Sequence, residues 1–245
     1  MWLFFFIGGN MKKKLGILGG MGPLASMVFY ERIIHNTLAN SDNEHIDIML
    51  LSHATIPDRT SVILENRDHN EIVDVVKPDL KAFEDYGVSN ITASCNTFHN
   101  FLEDLEKLTD IPFINMIDIT TEEAKKHGNV VTILGTKGTL QTGIYDKYIE
   151  KYGLEHLRVD EKIEDELMDI IYYIKSTNDV KSKRFNEICK YYLDLGSIPI
   201  LACTELSTID LEKEIDEQAI DALSVLTREC ILRSGYELKY EKIVH

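Results

Sequence analysis

The sequence has few basic residues relative to its acidic ones, and this imbalance limits the partners it can bind. Lys and Arg together number 26, whereas Asp and Glu number 41, which gives a formal net charge of −15. A field of this sign repels nucleic acid and anionic lipid, so we expect neither as a partner. It also repels anionic small molecules. An anionic substrate would therefore need a local cationic pocket.

Cysteines are scarce, and no two of them form a CxxC pair. The 245 residues contain only Cys95, Cys189, Cys203 and Cys230. This spacing argues against a dithiol redox motif and against a zinc ribbon. We expect reduced thiols in a cytoplasmic enzyme. His99 follows Cys95 by four residues, but no second half-site follows, so we predict no metal.

The chain lacks an apolar run long enough to span a membrane. Its first residues, MWLFFFIGGN, are apolar but too few for a spanning helix. A secretory signal would place basic residues before the apolar run, whereas here lysines 12–14 follow it. We interpret residues 1–10 as a non-native or disordered leader and expect Met11 to be the true start. No membrane association is predicted.

Apolar runs alternate with segments of helical periodicity along the rest of the chain. The runs predict strands at 15–18, 46–51, 88–93, 111–114, 130–134 and 198–202. Helices are predicted from Pro23 onward, around 72–83, from the Cys95 turn toward 108, and at about 139–152, 161–176, 181–195 and 217–234. This alternation predicts an α/β fold with parallel sheets covered by helices.

Two turns in the first half of the chain recur in the second half. ILGGMGPL at residues 17–24 aligns without gaps with ILGTKGTL at 133–140. ITASCNT at 91–97 is matched by PILACTE at 199–205, each being a strand, a cysteine and a short polar turn. The repeat indicates two related halves, each with one glycine turn and one cysteine turn. Ligands of such sheets bind beyond the carboxyl ends of the strands. We therefore expect both thiols at one cleft.

Two opposed thiols are suited to inverting a stereocentre. One group removes a proton from carbon, and the other delivers a proton from the opposite face. A free cysteine has a pKa of about 8.5, and the N-terminus of a helix lowers it, so one thiolate and one thiol can coexist near neutral pH. Peptide N–H groups at such turns also suit a substrate carboxylate.

Four motifs resemble the aspartate/glutamate racemase superfamily, in its aspartate racemase branch. They are LGILGGMGPLA at 15–25, IPDRT at 56–60, CNTFH at 95–99 and CTE at 203–205. The similarity runs from about residue 13 to 235. The resemblance implies two pseudo-symmetric α/β domains with the active site in the cleft between them. We place the first domain at 11–115 plus about 212–245, and the second at 116–211.

The resemblance also implies the chemistry. Cys95 and Cys203 would racemise aspartate, or glutamate, without pyridoxal phosphate or metal, and a homodimer is typical. Substrate binding would involve the glycine turn, the two cysteine turns and two cations that hold an acidic side chain: Met21, Gly22, Asn96, Thr97, Thr204, Arg59 and Lys175. Phe98 and Ser94 depart from the family pattern. A bulky Phe98 beside the catalytic turn is expected to narrow or reshape the pocket.

Three other functions stay open at this point. The first is racemisation or isomerisation of another amino acid or small acid, which a substrate screen would separate. The second is a non-catalytic amino-acid-binding protein, which would bind without turnover. The third is a nucleotide-dependent oxidoreductase, which would need bound NAD, because residues 20–25 fit a loose GxGxxA nucleotide-binding pattern. Pro23 argues against this hypothesis because it lacks the backbone N–H that would bind a nucleotide phosphate.

Overall fold

The computed structural model of the protein describes residues 12–244. The predicted leader at 1–10 and the expected start at Met11 lie outside these residues. No helix in the described part of the chain is long and apolar enough to cross a membrane.

The described strands form two sheets, and every strand pairing within them is parallel. The first sheet has the order β2-β1-β3 and the second β5-β4-β6-β7. The strands are β1 (Leu15–Gly19), β2 (Ile48–Ser52), β3 (Asn90–Ala93), β4 (Val130–Gly135), β5 (Glu155–His156), β6 (Ile198–Ala202) and β7 (Ile220–Asp221). The predicted α/β fold with parallel sheets is confirmed.

Helices connect and cover these strands. They are α1 (Pro23–Asn36), α2 (Arg59–Leu64), α3 (Asn70–Tyr86), α4 (Leu102–Leu105), α5 (Met116–Lys125), α6 (Lys137–Gln141), α7 (Asp146–Lys151), α8 (Glu161–Thr177), α9 (Lys183–Asp194), α10 (Lys213–Asp216) and α11 (Ala222–Arg233). Local signals explain several ends. Pro23 occupies the first turn of α1, Asp160 caps α8 by accepting from the Ile163 N–H, and Gly87 ends α3 with a φ of 76°.

Some predicted elements differ from the observed ones. The predicted strand at 111–114 is reduced to one bridge between Ile91 and Phe113, because Pro112 has no N–H to extend the ladder. The predicted helix at 139–152 is two helices, α6 and α7. Gly143 lies between them with a φ of 61°, a backbone conformation that does not continue a helix. The unpredicted elements are α2, α5, α10, β5 and β7, and β7 lies within the first residues of the helix predicted at about 217–234.

The two sheets repeat one plan. In each, a strand that ends in glycine, β1 or β4, pairs with a strand that leads into a cysteine, β3 or β6. One apolar core joins the two sheets, with side chains such as Ile17 of β1, Ile133 of β4 and Leu226 of α11. Each half also has a second core of its own. The carboxyl ends of the four strands carry the repeated turns.

Candidate active site

A small cavity lies beyond the carboxyl ends of β1, β3, β4 and β6, where helices α2 and α8 cover them. Eight of the nine predicted site residues line it. The lining residues are Met21, Asp58, Arg59, Thr60, Cys95, Asn96, Thr97, Thr136, Ile171, Tyr172, Lys175, Cys203, Thr204 and Glu205. Its open space is about 20 Å³, enough for about one water molecule. The site is therefore narrow.

Gly22 is the predicted site residue that does not line the cavity. It lies directly behind Glu205, because a Cβ at this position would stand 3.1 Å from Glu205 Oε1. The neighbouring Gly20 has a φ of 90°, and a Cβ there would stand 2.5 Å from the carbonyl carbon of His53. The glycine turn therefore needs glycine for close backbone approach at position 20.

The Cys95 turn is held by contacts from both halves of the molecule. Asn96 Oδ1 accepts a 2.6 Å hydrogen bond from the Tyr145 hydroxyl. The Thr97 hydroxyl lies 2.9 Å from that of Thr136 and 3.0 Å from that of Thr139. These partners belong to the second half. Side chains that cross the cleft thus hold the two halves together at this turn.

His99 supports the Cys95 turn from below. Its Nδ1 lies 2.9 Å from the Cys95 carbonyl oxygen, and its Nε2 accepts a 3.0 Å bond from the Met116 N–H. Since Met116 is a donor, the ring carries its proton on Nδ1. Burial lowers the pKa of His99 to about 4, so the ring is neutral at pH 7. Both ring nitrogens serve structural hydrogen bonds, and neither is available to ligate a metal.

The Cys203 turn differs in its electrostatics. Cys203 Sγ donates to Glu205 Oε2 over 3.0 Å. Burial raises the pKa of the Cys203 thiol well above its usual range, the Glu205 charge raises it further, and Lys175 acts against both. A helix N-terminus was expected to lower it. The chain after Cys203 instead forms only a three-residue 3₁₀ turn, Leu206–Thr208, which provides little dipole.

Lys175 reaches the cavity from α8 and pairs with Glu205. Its Nζ lies 3.1 Å from Glu205 Oε1. Burial by itself disfavours the ammonium, but Glu205 and the two thiol groups, Cys203 and Cys95, outweigh it and raise the pKa of Lys175. Both cysteines are therefore close enough to act electrostatically on one ammonium.

Arg59 begins α2 and points its guanidinium at backbone carbonyls. It donates to the oxygens of Ile56 at 3.2 Å, Pro57 at 3.0 Å and Met21 at 3.4 Å. Among residues 12–244, no carboxylate lies within 4 Å of it. Its Nε and the Asn96 Nδ2 are buried donors with no hydrogen-bond partner in the part of the chain that the structure describes. Buried donors without acceptors are costly, and they favour a ligand that supplies oxygen atoms.

Phe98 does not line the cavity, contrary to expectation. Its ring is fully buried in the core of the first half and lies 6.2 Å, centroid to centroid, from Phe101. It packs beneath the Cys95 turn and is not among the residues that line the cavity. Ser94 bonds to the glycine turn instead: its hydroxyl is 3.2 Å from that of Ser26, which accepts from the Gly20 N–H.

Sequence reasoning missed several residues of the site, chiefly Glu205, Tyr172 and Asp58. Glu205 stood within a quoted motif, and its charge at the second position after Cys203 was a usable signal. Tyr172 lies one helical turn from Lys175 and lines the cavity while 46% exposed. Among the described residues, no group of three or more His, Cys, Asp or Glu is arranged to hold a metal.

Parallel sheets related by an internal repeat, with two cysteine turns at one cavity, define an α/β enzyme whose site is shared by both halves. The sequence profile of the Asp/Glu/hydantoin racemase family matches residues 18–230, and the protein belongs to this family. It is an amino-acid racemase, an isomerase of the kind that works without pyridoxal phosphate. The family predicted from the four motifs is confirmed.

Known relatives match nearly the whole chain. The aspartate racemase of Picrophilus torridus is 30% identical, with 92% of this chain and 96% of that chain covered and a TM-score of 0.78. A broad-specificity amino-acid racemase of Bacillus subtilis is 25% identical, over 89% and 96%. A glutamate racemase of Francisella tularensis, solved with D-glutamate, is 20% identical, over 88% and 78%, with a TM-score of 0.61. This last likeness concerns the fold alone.

Proposed function

We propose that the protein racemises an acidic amino acid, aspartate foremost, by two-base proton transfer between Cys95, Cys203 and the substrate α-carbon. The observation that carries the proposal is the cavity itself. It holds two thiols from equivalent turns together with two cations, Arg59 and Lys175. Two identical acid/base groups suit a reaction that must run in both directions.

The proposed step conserves atoms and charge. One cysteine, as thiolate, takes the α-proton, the Cα–H bond breaks, and its electron pair delocalises into the substrate carboxylate. The S–H bond of the other cysteine then breaks, and its proton goes to the opposite face of the α-carbon. The first sulfur ends as a thiol and the second as a thiolate. Cys95, Cys203 and Arg59 are buried, and burial strengthens the interactions that stabilise the developing carboxylate charge.

Substrate carboxylates are proposed to accept hydrogen bonds from the two unsatisfied donors, Asn96 Nδ2 and Arg59 Nε. The Asn96 amide, with the Thr97 and Thr204 hydroxyls nearby, is proposed to bind the α-carboxylate. Arg59 is proposed to bind the side-chain carboxylate through Nε, because its NH groups are held on backbone carbonyls. An α-carboxylate at Asn96 and a side-chain carboxylate at Arg59 would together satisfy both buried donors, which favours an anionic side chain.

Racemisation of another amino acid is the second candidate. Lys175 is paired with Glu205, so it is only partly available to an acidic side chain. One relative is named a broad-specificity racemase, which also supports testing a wide panel. Arg59 distinguishes the two candidates. If it recognises a carboxylate, neutral amino acids should be poor substrates.

The test is proton NMR of L-aspartate, L-glutamate and a panel of neutral amino acids in D₂O, with reduced enzyme and no added cofactor. We expect α-proton exchange with accumulation of the D-isomer, fastest for aspartate. Cys95→Ala and Cys203→Ala should each lower racemisation by roughly 10²–10⁴-fold. Arg59→Lys should raise KM for aspartate more than for a neutral amino acid. Full racemisation by either cysteine variant would contradict the two-thiol proposal.

The homodimer, the cytoplasmic location and the domain boundaries remain predictions. Sedimentation of the purified full chain would test the first. Limited proteolysis followed by mass spectrometry would test whether cleavage falls near residues 115 and 211.

A further inference from the structure

The two cysteine turns differ in the residue two positions after the cysteine. After Cys95 it is Thr97, whose hydroxyl bonds only to other hydroxyls in the described structure. After Cys203 it is Glu205, a carboxylate that is 4% exposed. Each oxygen of Glu205 has a separate contact: Oε2 accepts from Cys203 Sγ, and Oε1 pairs with Lys175 Nζ.

We propose that Glu205 is a positioning residue that keeps Cys203 in its thiol form in the resting enzyme, so that Cys95 is the resting base. This inference rests on the proposed two-cysteine function. It means that the two thiols differ in how readily they lose a proton, although the fold places them in equivalent turns. The geometry that supports it is the 3.0 Å contact between Sγ and Oε2, shielded from water.

The charged groups around Cys203 act in opposite directions. Lys175 on α8 would stabilise a thiolate, and Arg59 on α2 contributes a second positive charge to the cavity. Glu205 faces the sulfur directly and neutralises Lys175 by pairing with it. Cys95, Asp58 and the hydroxyls of Tyr172 and Tyr145 are further titratable groups at or beside this cavity. Because a carboxylate can accept a hydrogen bond from a thiol but only repel a thiolate, Glu205 favours the protonated form.

The charged groups that act on Cys95 differ from those that act on Cys203. No carboxylate oxygen accepts a hydrogen bond from its sulfur within residues 12–244. Lys175 acts on it electrostatically, as the influence of Cys95 on the pKa of Lys175 shows. The same ammonium therefore serves both cysteines, but only Cys203 has a carboxylate against it. This asymmetry selects Cys95 as the thiolate.

One turnover from the resting enzyme reverses the protonation of the two cysteines. When the substrate α-proton moves to Cys95 and the Cys203 proton moves to carbon, the enzyme is left with a thiolate beside Glu205. Reset then requires Cys203 to take a proton from water or buffer while Cys95 releases one. The enantiomer whose α-proton faces Cys95 therefore meets the resting enzyme directly, whereas the other enantiomer needs the swapped form.

The test is a pH titration of thiolate ultraviolet absorbance in full-length protein. A Cys95→Ala/Cys189→Ala/Cys230→Ala background isolates Cys203, because it removes the other three of the four cysteines in the sequence. We expect Glu205→Gln in this background to lower the Cys203 midpoint by one unit or more, which is about a tenfold rise in thiolate fraction at a given pH. The alkylation rate of Cys203 by iodoacetamide should rise in parallel.

Two further variants keep the test informative if the amide substitution disturbs folding. Glu205→Asp retains the charge one methylene further away and should give an intermediate midpoint. Glu150→Gln, on the exposed face of α7, removes a distant carboxylate and should leave the midpoint unchanged. Far-ultraviolet circular dichroism of each variant checks the fold.

The outcomes separate this inference from the proposed function. An unchanged Cys203 midpoint in both Glu205 variants would overturn the role of Glu205, even in an active racemase. A lowered midpoint in a protein that racemises no amino acid would support the Glu205–Cys203 coupling and overturn the proposed function. A wild-type titration in which Cys203 ionises before Cys95 would overturn the assignment of the resting base.

Discussion

The two cysteine turns share a backbone plan but not an electrostatic one. Four residues after each cysteine, a side chain lies against the cysteine carbonyl: His99 Nδ1 at 2.9 Å from Cys95 O, and Ser207 Oγ at 3.5 Å from Cys203 O. Two residues after each cysteine, the chemistry differs, with Thr97 in one turn and Glu205 in the other.

This difference shows how a repeated fold acquires two unequal thiols. The shared backbone brings both sulfur atoms to one cavity, which a reversible reaction needs. The unequal side chains set which sulfur holds the proton at rest. The equivalent positions of the two sulfur atoms and the unequal charges around them are therefore separate properties. A substitution can change one of them without changing the other.

The largest expected effect comes from removing one thiol at a time. Cys203→Ser and Cys95→Ser should each lower racemisation by roughly 10²–10⁴-fold while retaining α-proton exchange with one enantiomer only. The two variants should exchange opposite enantiomers. Exchange by Cys95→Ser should be the slower of the two at pH 7, because Glu205 keeps Cys203 protonated. NMR in D₂O with each pure enantiomer measures all four rates.

A Cys95→Ser/Glu205→Gln double variant sharpens this comparison. Its exchange rate should exceed that of Cys95→Ser, since the remaining thiol then ionises more easily. Exchange of the same enantiomer by both single variants would contradict the opposed arrangement of the two sulfurs.

A smaller effect concerns stability and acid. Burial lowers the pKa of His99 to about 4, against about 6.5 in an unfolded chain. Between these values the unfolded chain binds a proton that the folded chain does not. The free energy of unfolding should therefore fall by roughly 3 kcal/mol as the pH drops from about 6.5 to about 4. Urea unfolding at several pH values measures the slope.

His99→Gln and Ser207→Ala are the matched variants for this slope. The first should reduce the loss of stability on acidification, because glutamine does not titrate. The second should keep the wild-type pH dependence, because Ser207 does not titrate either and its contact is long. Equal slopes in His99→Gln and wild type would assign the acid sensitivity to other groups.

The smallest effect compares two aligned glycines, Gly22 and Gly138. A Cβ at Gly138 would stand 2.9 Å from Thr97 Cγ2 and 3.1 Å from the Thr60 Cα, so the backbone itself must move. Within the described residues, a Cβ at Gly22 would have one atom within 4 Å, the flexible end of the Glu205 carboxylate at 3.1 Å. We expect Gly138→Ala to cost about 1–3 kcal/mol of unfolding free energy, and Gly22→Ala less than about 1 kcal/mol. Thermal and urea unfolding would measure both, and the reverse order would contradict the packing argument.

Several elements could be predicted from the sequence because their signals are local. The strand at 198–202 has the predicted bounds, and β1 extends the predicted 15–18 by one residue. Their runs of buried residues cannot be satisfied by an amphipathic surface helix. Helix α2 was missed because its six residues are too few to show a helical period. Its capping residue, Asp58, was the one local signal for it.

Side-chain partnerships across the cleft could not be predicted in the same way. Asn96 and Tyr145 lie in different halves, and neither residue type indicates the 2.6 Å bond that joins them. Phe98 was expected in the pocket because it is adjacent to the cysteine turn in sequence. The 3₁₀ geometry of Thr97–Phe101 directs it into the core instead.

The sequence by itself determined the family, the parallel α/β architecture and the position of a cysteine at the end of one strand in each half. These properties depend on apolar periodicity and on turn residues that are close together in the chain. Only the tertiary structure decided that Glu205 faces Cys203 on one side and Lys175 on the other. Such contacts depend on how a strand end and helix α8 pack together, and packing brings together groups whose separation along the chain carries no signal.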